Sequence, residues 1–289
     1  MKKILITGGA GFIASNLIKL ILKKNPRVFI YSYDNYYSGS IKNHIKSKRV
    51  KYIKGDTLRI NKKRSLKKIN FDYVFHFAEF SRIVPSFKNY ETCIKTNTYG
   101  TFEVIKFCLE NKAKLVYSAS SSTIGKNRNL SPYSWSKYAN NELIKNFSRW
   151  FGLKYVIVYF YNVYGPNQIM EGQMSAVIGI FEKQYLSGNT LTVVKPGNQK
   201  RDFTHVEDIA NGTYLAATKS INSEFHLGSG KNYSILQVAK MFKTKYKLVA
   251  ERPGERFYSL SNTNKAKKFL KYSIKFDLKK YITEFINKV

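Results

Sequence analysis

Ile4-Leu5-Ile6-Thr7-Gly8-Gly9-Ala10-Gly11-Phe12-Ile13-Ala14 is the stretch that decides the fold. A short apolar run reads as a strand, the glycines as a turn, and the residues after them as a helix. Gly8 and Gly11 suit a turn where backbone must approach a phosphate closely. Free N–H groups from Phe12 and Ile13 onward would then face the anion, where the helix dipole favours it. A glycine run alone is a weak signal. Here a second apolar run, Val28-Phe29-Ile30-Tyr31-Ser32-Tyr33, closes on Asp34. A carboxylate at that strand end can bond both hydroxyls of an adenosine ribose and would repel a 2′-phosphate. The pair points to NAD rather than NADP. A tight turn with a surface aspartate is the plainer reading, but it leaves the register of strand, turn, helix and acid unexplained.

Outward from this unit the chain alternates strand and helix signals. Strands are expected near 3–7, 28–33, 50–54, 73–77, 114–119 and 155–161, and helices near 12–24, 91–110 and 133–151. The run Tyr155-Val156-Ile157-Val158-Tyr159-Phe160-Tyr161 is continuously apolar, as a strand buried on both faces requires. The pattern predicts an α/β fold, a Rossmann-type doubly wound parallel sheet with right-handed crossovers. From about residue 166 the pattern changes to short helices (175–187, 207–218, 234–244, 276–287) and short strands (190–194, 225–227, 247–250). We therefore expect a Rossmann domain over 1–165 and a smaller C-terminal α/β lobe over 166–289, with some late elements returning to the main sheet.

A second constellation carries chemistry. Tyr133 and Lys137, in Tyr133-Ser134-Trp135-Ser136-Lys137, lie four apart at the start of the helix that follows the strand ending in Ser118-Ala119-Ser120-Ser121-Ser122. Such a spacing puts both on one helix face. An ammonium beside a phenol favours the phenolate, which is what a general base at neutral pH needs. With 22 tyrosines and 50 basic residues the spacing alone means little; its place after the strand does.

These residues resemble the extended short-chain dehydrogenase/reductase family, and within it the nucleotide-sugar epimerases and dehydratases, most like a UDP-sugar 4-epimerase. Thr7 to Ala14 look like the family's T-G-G-x-G-F-I-G, with Ala14 for the last glycine. Asp34-Asn35-Tyr36-Tyr37-Ser38-Gly39 resembles D-N-x-x-S-G. Gly55-Asp56, followed by Thr57, looks like the adenine-contacting G-D. His76-Phe77-Ala78 resembles H-x-A-A, and Asn97 stands ahead of Gly100. Asn162-Val163-Tyr164-Gly165-Pro166 looks like N-V-Y-G-P, and Arg201-Asp202-Phe203 with Val206 and Asp208 looks like R-D-F-x-x-V-x-D.

The resemblance implies roles. Tyr133 would take the proton from a sugar hydroxyl, Ser120 would hold the same oxygen, and Lys137 would bond the nicotinamide ribose. Gly8, Gly11, Phe12, Ile13, Asp34, Asn35, Ser38, Gly39, Asp56, Thr57, Phe77, Ala78, Asn97 and Ser118 would join Tyr133 and Lys137 around NAD. The second lobe would bind the nucleotide half of the substrate. There Asn162, Arg201 and Arg252 are candidates for the diphosphate and ribose, since guanidinium forks match phosphate oxygens. Ala176 and Val177 would line the base pocket. Asp202 and Asp208 read as structural, orienting the arginine and capping a helix. Ser121 and Ser122 stand where dehydratases typically carry Asp-Glu and where decarboxylases typically have Glu second. A serine pair offers no carboxyl group and resembles the 4-epimerases. UDP is the family's usual nucleotide.

Three features depart from the family. Only 12 residues separate Ser120 from Tyr133, where relatives have a longer stretch, consistent with a lost surface loop. Glu79 replaces the usual Ala or Gly, either as a pocket residue contacting the sugar or as a carboxylate turned to solvent. Tyr159 stands where relatives often carry Arg. In relatives the helix ahead of Asn97 and the Tyr133 helix pack across a two-fold axis. Ile94, Val104, Phe107 and Cys108, with Leu143, Phe147 and Trp150, would serve either the core or such a homodimer interface.

Composition limits the remaining classes. No apolar run reaches the roughly 18 residues of a membrane helix. Met1-Lys2-Lys3 before Ile4-Leu5-Ile6 faintly mimics a signal peptide, but the apolar stretch stops at Thr7-Gly8, so no membrane partner is expected. Cys93 and Cys108 show no disulfide or metal spacing and fit a reducing cytoplasm; no metal is expected. The net charge of +32 would suit a nucleic-acid binder. Lysine is nevertheless interleaved with Asn, Ile and Tyr throughout, which favours a solvated surface that helps steer anionic substrates.

Overall fold

The computed structural model describes residues 2–289. Six expected strands form where the sequence places them: β1 (Lys2–Thr7), β2 (Val28–Asp34), β3 (Val50–Lys54), β4 (Tyr73–His76), β5 (Lys114–Ser120) and β6 (Tyr155–Phe160). A seventh, β7 (Ser223–Leu227), comes back from the C-terminal half and pairs with β6. The sheet order is β7-β6-β5-β4-β1-β2-β3, and every pairing is parallel. The order reverses between β1 and β4, where a crevice opens beyond the strand carboxyl ends.

Helices cover both faces. On one, α1 (Phe12–Lys24) and α4 (Val206–Lys219) pack on Ile4, Ile6, Ile30, Phe75 and Val116. On the other, α2 (Gly100–Glu110) and α3 (Pro132–Phe151) close over Leu5, Val74, Leu115, Tyr117 and Ile157. The helix expected over 91–110 is not regular. A π turn at Lys95–Tyr99 interrupts it, and Asn97 sits buried within that turn. α3 begins with Ser131, whose hydroxyl accepts from the Ser134 N–H, followed by Pro132; it ends at Gly152 in the left-handed region (φ 70°).

Residues after 166 build a second apolar cluster around Phe181, Phe203, Phe242 and Ile282. The helices Val177–Leu186 and Ile235–Met241 and a parallel pair, Leu191–Val194 with Tyr246–Val249, surround it. The chain is not divided in space at residue 165. α4 and β7 belong to the main sheet, and Asp202, fully buried just before α4, ties that segment to loops that follow β7. It accepts from the backbone N–H groups of Ser229, Gly230 and Ser261.

His76 locks β1, β4 and α2 together. Its Nδ1 lies 2.7 Å from Thr7 Oγ1 and its Nε2 2.9 Å from Thr101 Oγ1. Thr101 donates its hydroxyl proton onward to Glu79, so the network assigns Nε2 as the donor and Nδ1 as the acceptor. Full burial lowers the imidazole to about 4. The unfolded chain takes up this proton near pH 6.5 and the native state does not. Stability contributed by His76 is therefore complete above pH 6.5 and falls as pH drops toward 4. Urea midpoints between pH 7 and 5 should show a decline near 1.4 kcal/mol per pH unit from this group, and His76→Asn should flatten that part of the profile even as it lowers stability overall.

Candidate active site

Gly8 turns the chain at the end of β1. It adopts φ 71°, and a Cβ there would lie 2.8 Å from the backbone of Phe77 and Ala78, so β1 and β4 meet only because it has no side chain. α1 starts directly afterwards with Gly11 at its cap, without a side-chain cap and without an acid in its first turn. Its first N–H groups thus remain available to an anion. Asp34, at the end of β2, is buried, and burial raises its carboxyl above the usual range. It accepts from Ala10 N–H (2.9 Å) and Tyr36 N–H (2.7 Å), which fixes it beside the turn. Gly39 packs against that carboxylate; Ser38 and Asn35 are exposed next to it. Asp56 caps the turn starting at Thr57, accepts from Leu58 N–H, and takes the Asn35 amide on its other oxygen. Helix N-terminus, bare cradle and terminal carboxylate fit the diphosphate and ribose of NAD.

Asn97 is buried, with its amide bonded within the protein. Its amide oxygen accepts from Phe80 N–H (2.7 Å), and its amide nitrogen donates to Phe80 C=O and Ser136 Oγ. It braces α3 and the segment after β4 from within, so its side chain is not free for a cofactor.

Ser120 ends β5, and Lys137, on α3, reaches the carbonyl of Ser118 two residues before it. The Ser120 Oγ accepts from Ser122 N–H (3.1 Å), capping a short turn over Ser121–Thr123, and keeps its own proton to donate. That turn and a second one, Gly125–Asn129, lead straight into α3, which is how twelve residues suffice. Tyr133 stands in the first turn of α3 against Phe80 and Cys93. Its hydroxyl has no partner among the described residues. Lys137, one turn on, donates to Ser118 C=O.

Glu79 is not turned to solvent. Its side chain is 2% exposed and ion-paired with Lys137, itself 5% exposed. The other carboxylate oxygen accepts from Tyr117 Oη (2.9 Å), Asn140 Nδ2 (3.0 Å) and Thr101 Oγ1 (3.1 Å). Only a partner 58 residues away explains this carboxylate, so local sequence carried no signal for it.

The substrate-lobe arginines also rearrange. Arg201 is buried and paired with Glu255, so Glu255 rather than Asp202 orients it. Asp208 does act at a helix start, but toward another segment: it accepts from Lys275 and Phe276 N–H, and burial raises its carboxyl to about 6. Arg252 is exposed. Sequence reasoning missed Arg256, four residues on, which is 7% exposed and donates to Ser121 Oγ at 3.2 Å. Burial, then the neighbouring Arg201, pulls its guanidinium down to about 10, while Tyr133 acts in the opposite sense. Its Nε and the Ser122 Oγ are buried without partners. Asn162 is half-buried with its backbone tied to Thr204, and Ala176 and Val177 open the helix that flanks the second apolar cluster.

Known proteins place this arrangement. The family model for the NAD dependent epimerase/dehydratase family matches residues 4–228. A Methanocaldococcus jannaschii protein with the provisional name UDP-glucose 4-epimerase is 30% identical, covering 98% of this chain and 97% of its own. A UDP-N-acetyl-alpha-D-glucosaminuronate decarboxylase from Bacillus cytotoxicus is 31% identical over 83% of this chain and 78% of its own. The crystal structure of a Thermotoga maritima UDP-glucose 4-epimerase with UDP-glucose superposes with a TM-score of 0.91 at 26% identity, covering 99% of both chains. Among the described residues no helix is long and apolar enough to cross a membrane. The chain belongs to the NAD-dependent epimerase/dehydratase family of nucleotide-sugar enzymes.

Proposed function

We propose that the chain interconverts the C4 epimers of a UDP-sugar, a hexose or hexuronic acid, through a transient 4-keto sugar. The observation that carries this reading is that, among the described residues, the carboxylates nearest Ser120 and Lys137 are already paired with cations. Ser121 and Ser122 occupy the turn after Ser120, and the two carboxylates near the site, Glu79 and Glu255, are both held in ion pairs. Elimination needs a carboxyl group that can change protonation state; epimerisation needs only one proton taken and returned.

In this reading Tyr133 accepts the C4 hydroxyl proton and later gives it back, with Ser120 donating to the same oxygen. Lys137 holds the nicotinamide ribose, and Asp34 the adenosine ribose. Bound NAD supplies a hydride acceptor that is restored when the sugar is reduced on its other face. Arg201 and Arg256 take the diphosphate, the unpartnered Nε of Arg256 providing a donor that awaits an anion. The lobe built from residues after 166, apart from α4 and β7, binds the nucleotide.

Tyr133→Phe should lower kcat by about 10² to 10⁴ while leaving NAD affinity and melting temperature near wild type, because the ring and its packing stay. NMR of a UDP-sugar panel without added NAD should show exchange at C4 in wild type; a 4-keto-6-deoxy product or loss of carbon dioxide would refute the epimerase reading.

Arg256→Ala should raise KM by about tenfold or more, the worth of a charge-assisted hydrogen bond. Arg252→Ala should change it less than about twofold. The reverse ranking would return the diphosphate to Arg252.

A second copy of the chain completes the reading. Val104, Phe107 and Cys108 lie in the core and leave the interface to other residues. Trp150 (62% exposed) and Phe151 (61% exposed) cluster with Phe147 and Phe102 on the outer faces of α2 and α3. We expect sedimentation at micromolar concentration to give a homodimer that Trp150→Glu dissociates.

A further inference from the structure

Lys137 is surrounded by groups that fix its charge and its position. Glu79 reaches it from the segment after β4, and Ser118 C=O reaches it from β5. Every other atom that meets the Glu79 carboxylate is a donor: Tyr117 on β5, Thr101 on α2 and Asn140 on α3. A carboxylate ringed by donors, with no acceptor opposite, is in its ionised form. The two buried charges therefore cancel within one hydrogen-bonded unit. Burying either alone would cost several kcal/mol.

The other ionisable groups around this unit leave the cancellation in place. His76 on β4 is neutral, and burial pushes the Tyr117 phenol and the Cys93 thiol up, so both stay protonated. The cations coupled to Tyr133 from elsewhere are Arg82 and Arg256.

We propose that Glu79 is a positioning residue which holds the Lys137 ammonium and offsets its charge, so that the wall facing the nicotinamide is neutral and the oxidised and reduced cofactors bind evenly. The proposal rests on the reading above that Lys137 lies at the nicotinamide ribose. An enzyme that must reduce and reoxidise its cofactor within one turnover works fastest when neither form is favoured. An unbalanced ammonium would disfavour the positively charged nicotinamide relative to the neutral one.

The test measures dissociation constants for NAD and NADH by titration, without any sugar, so it stands apart from whether the chain is an epimerase. Glu79→Gln uncovers one positive charge and should raise the ratio of the NAD to the NADH constant by at least about tenfold, the effect of a unit charge about 12 Å away at an effective dielectric near 20 and a lower bound for a closer one. Glu79→Gln/Lys137→Met removes both charges and should return the ratio to within about twofold of wild type, although both cofactors bind more weakly. Glu79→Asp, which keeps the charge, should hold the ratio as well. If Glu79→Gln does not fold, Lys137→Gln at pH 8 replaces it and should shift the ratio the other way, toward tighter NAD. Equal weakening of NAD and NADH in the single variant would reduce Glu79 to a structural role and overturn the proposal. Failure of the double variant to restore the ratio would overturn it too. A tenfold rise in substrate KM with an unchanged ratio would place Glu79 at the sugar instead.

Discussion

Seven strands run in one direction, so seven carboxyl ends share one edge, and the site exists because of that constraint. A parallel strand has to be reached by a crossover, and each crossover starts from that same edge. The loops after β1, β2, β4, β5 and β6 therefore converge without any of them needing a specific length. The turn at Gly8, the carboxylate of Asp34, Glu79, Ser120 and Asn162 are all strand-end features. α3 brings its first turns to the same edge, which adds Tyr133 and Lys137. The short link between Ser120 and Tyr133 is tolerated for this reason: sheet and helix packing hold its two ends, whatever loop lies between.

What could be read in the sequence follows from which signals are local. Strand, glycine turn, helix and terminal acid lie within one stretch, and the Tyr133–Lys137 spacing lies within one helix turn. Interactions across the fold left no such trace. Glu79 finds its four partners on β5, α2 and α3, and nothing near residue 79 foretells them. Arg252 drew attention because it opens Arg252-Pro253-Gly254-Glu255, yet the loop turns Arg256 inward. Loops have no periodicity from which to infer a face. For Val104, Phe107 and Cys108 the apolar pattern was clear, but a pattern cannot tell a core from an interface, and these three face the sheet. Asn97 was placed by its distance from Gly100, whereas the π turn carries it into the protein.

The distribution of charge reflects the same division between interior and surface. Against 50 basic residues the chain has only 18 acids, and several of those are buried where they satisfy groups that nothing else could satisfy. Asp34 fixes the turn above α1, and Asp202 gathers three backbone N–H groups. Asp208 ties down the segment at Lys275, and Glu182 takes the amide of Gln168 and the hydroxyl of Tyr281. Lysines, with long stems and easily hydrated ammonium groups, remain at the surface without penalty. The +32 balance is then largely a property of the solvated shell. It sets a field that attracts anions from a distance without describing the site itself.

Lys137 is the exception to that pattern, and it ties the fold to the chemistry. A lysine that must be buried needs a counter-charge, and the carboxylate that supplies it cannot at the same time act as a general acid. Four donors hold Glu79 in its ionised form; to lend a proton it would first have to gain one and break its pair with Lys137. Glu79 is thus poorly suited to act as the acid of an elimination. Neither Ser121 nor Ser122 can replace it, and Glu255 is bound to Arg201. Under the epimerase reading proposed above, with Glu79 and Glu255 committed to cations, the proton from the sugar falls to Tyr133, which as phenolate would take it up and later return it.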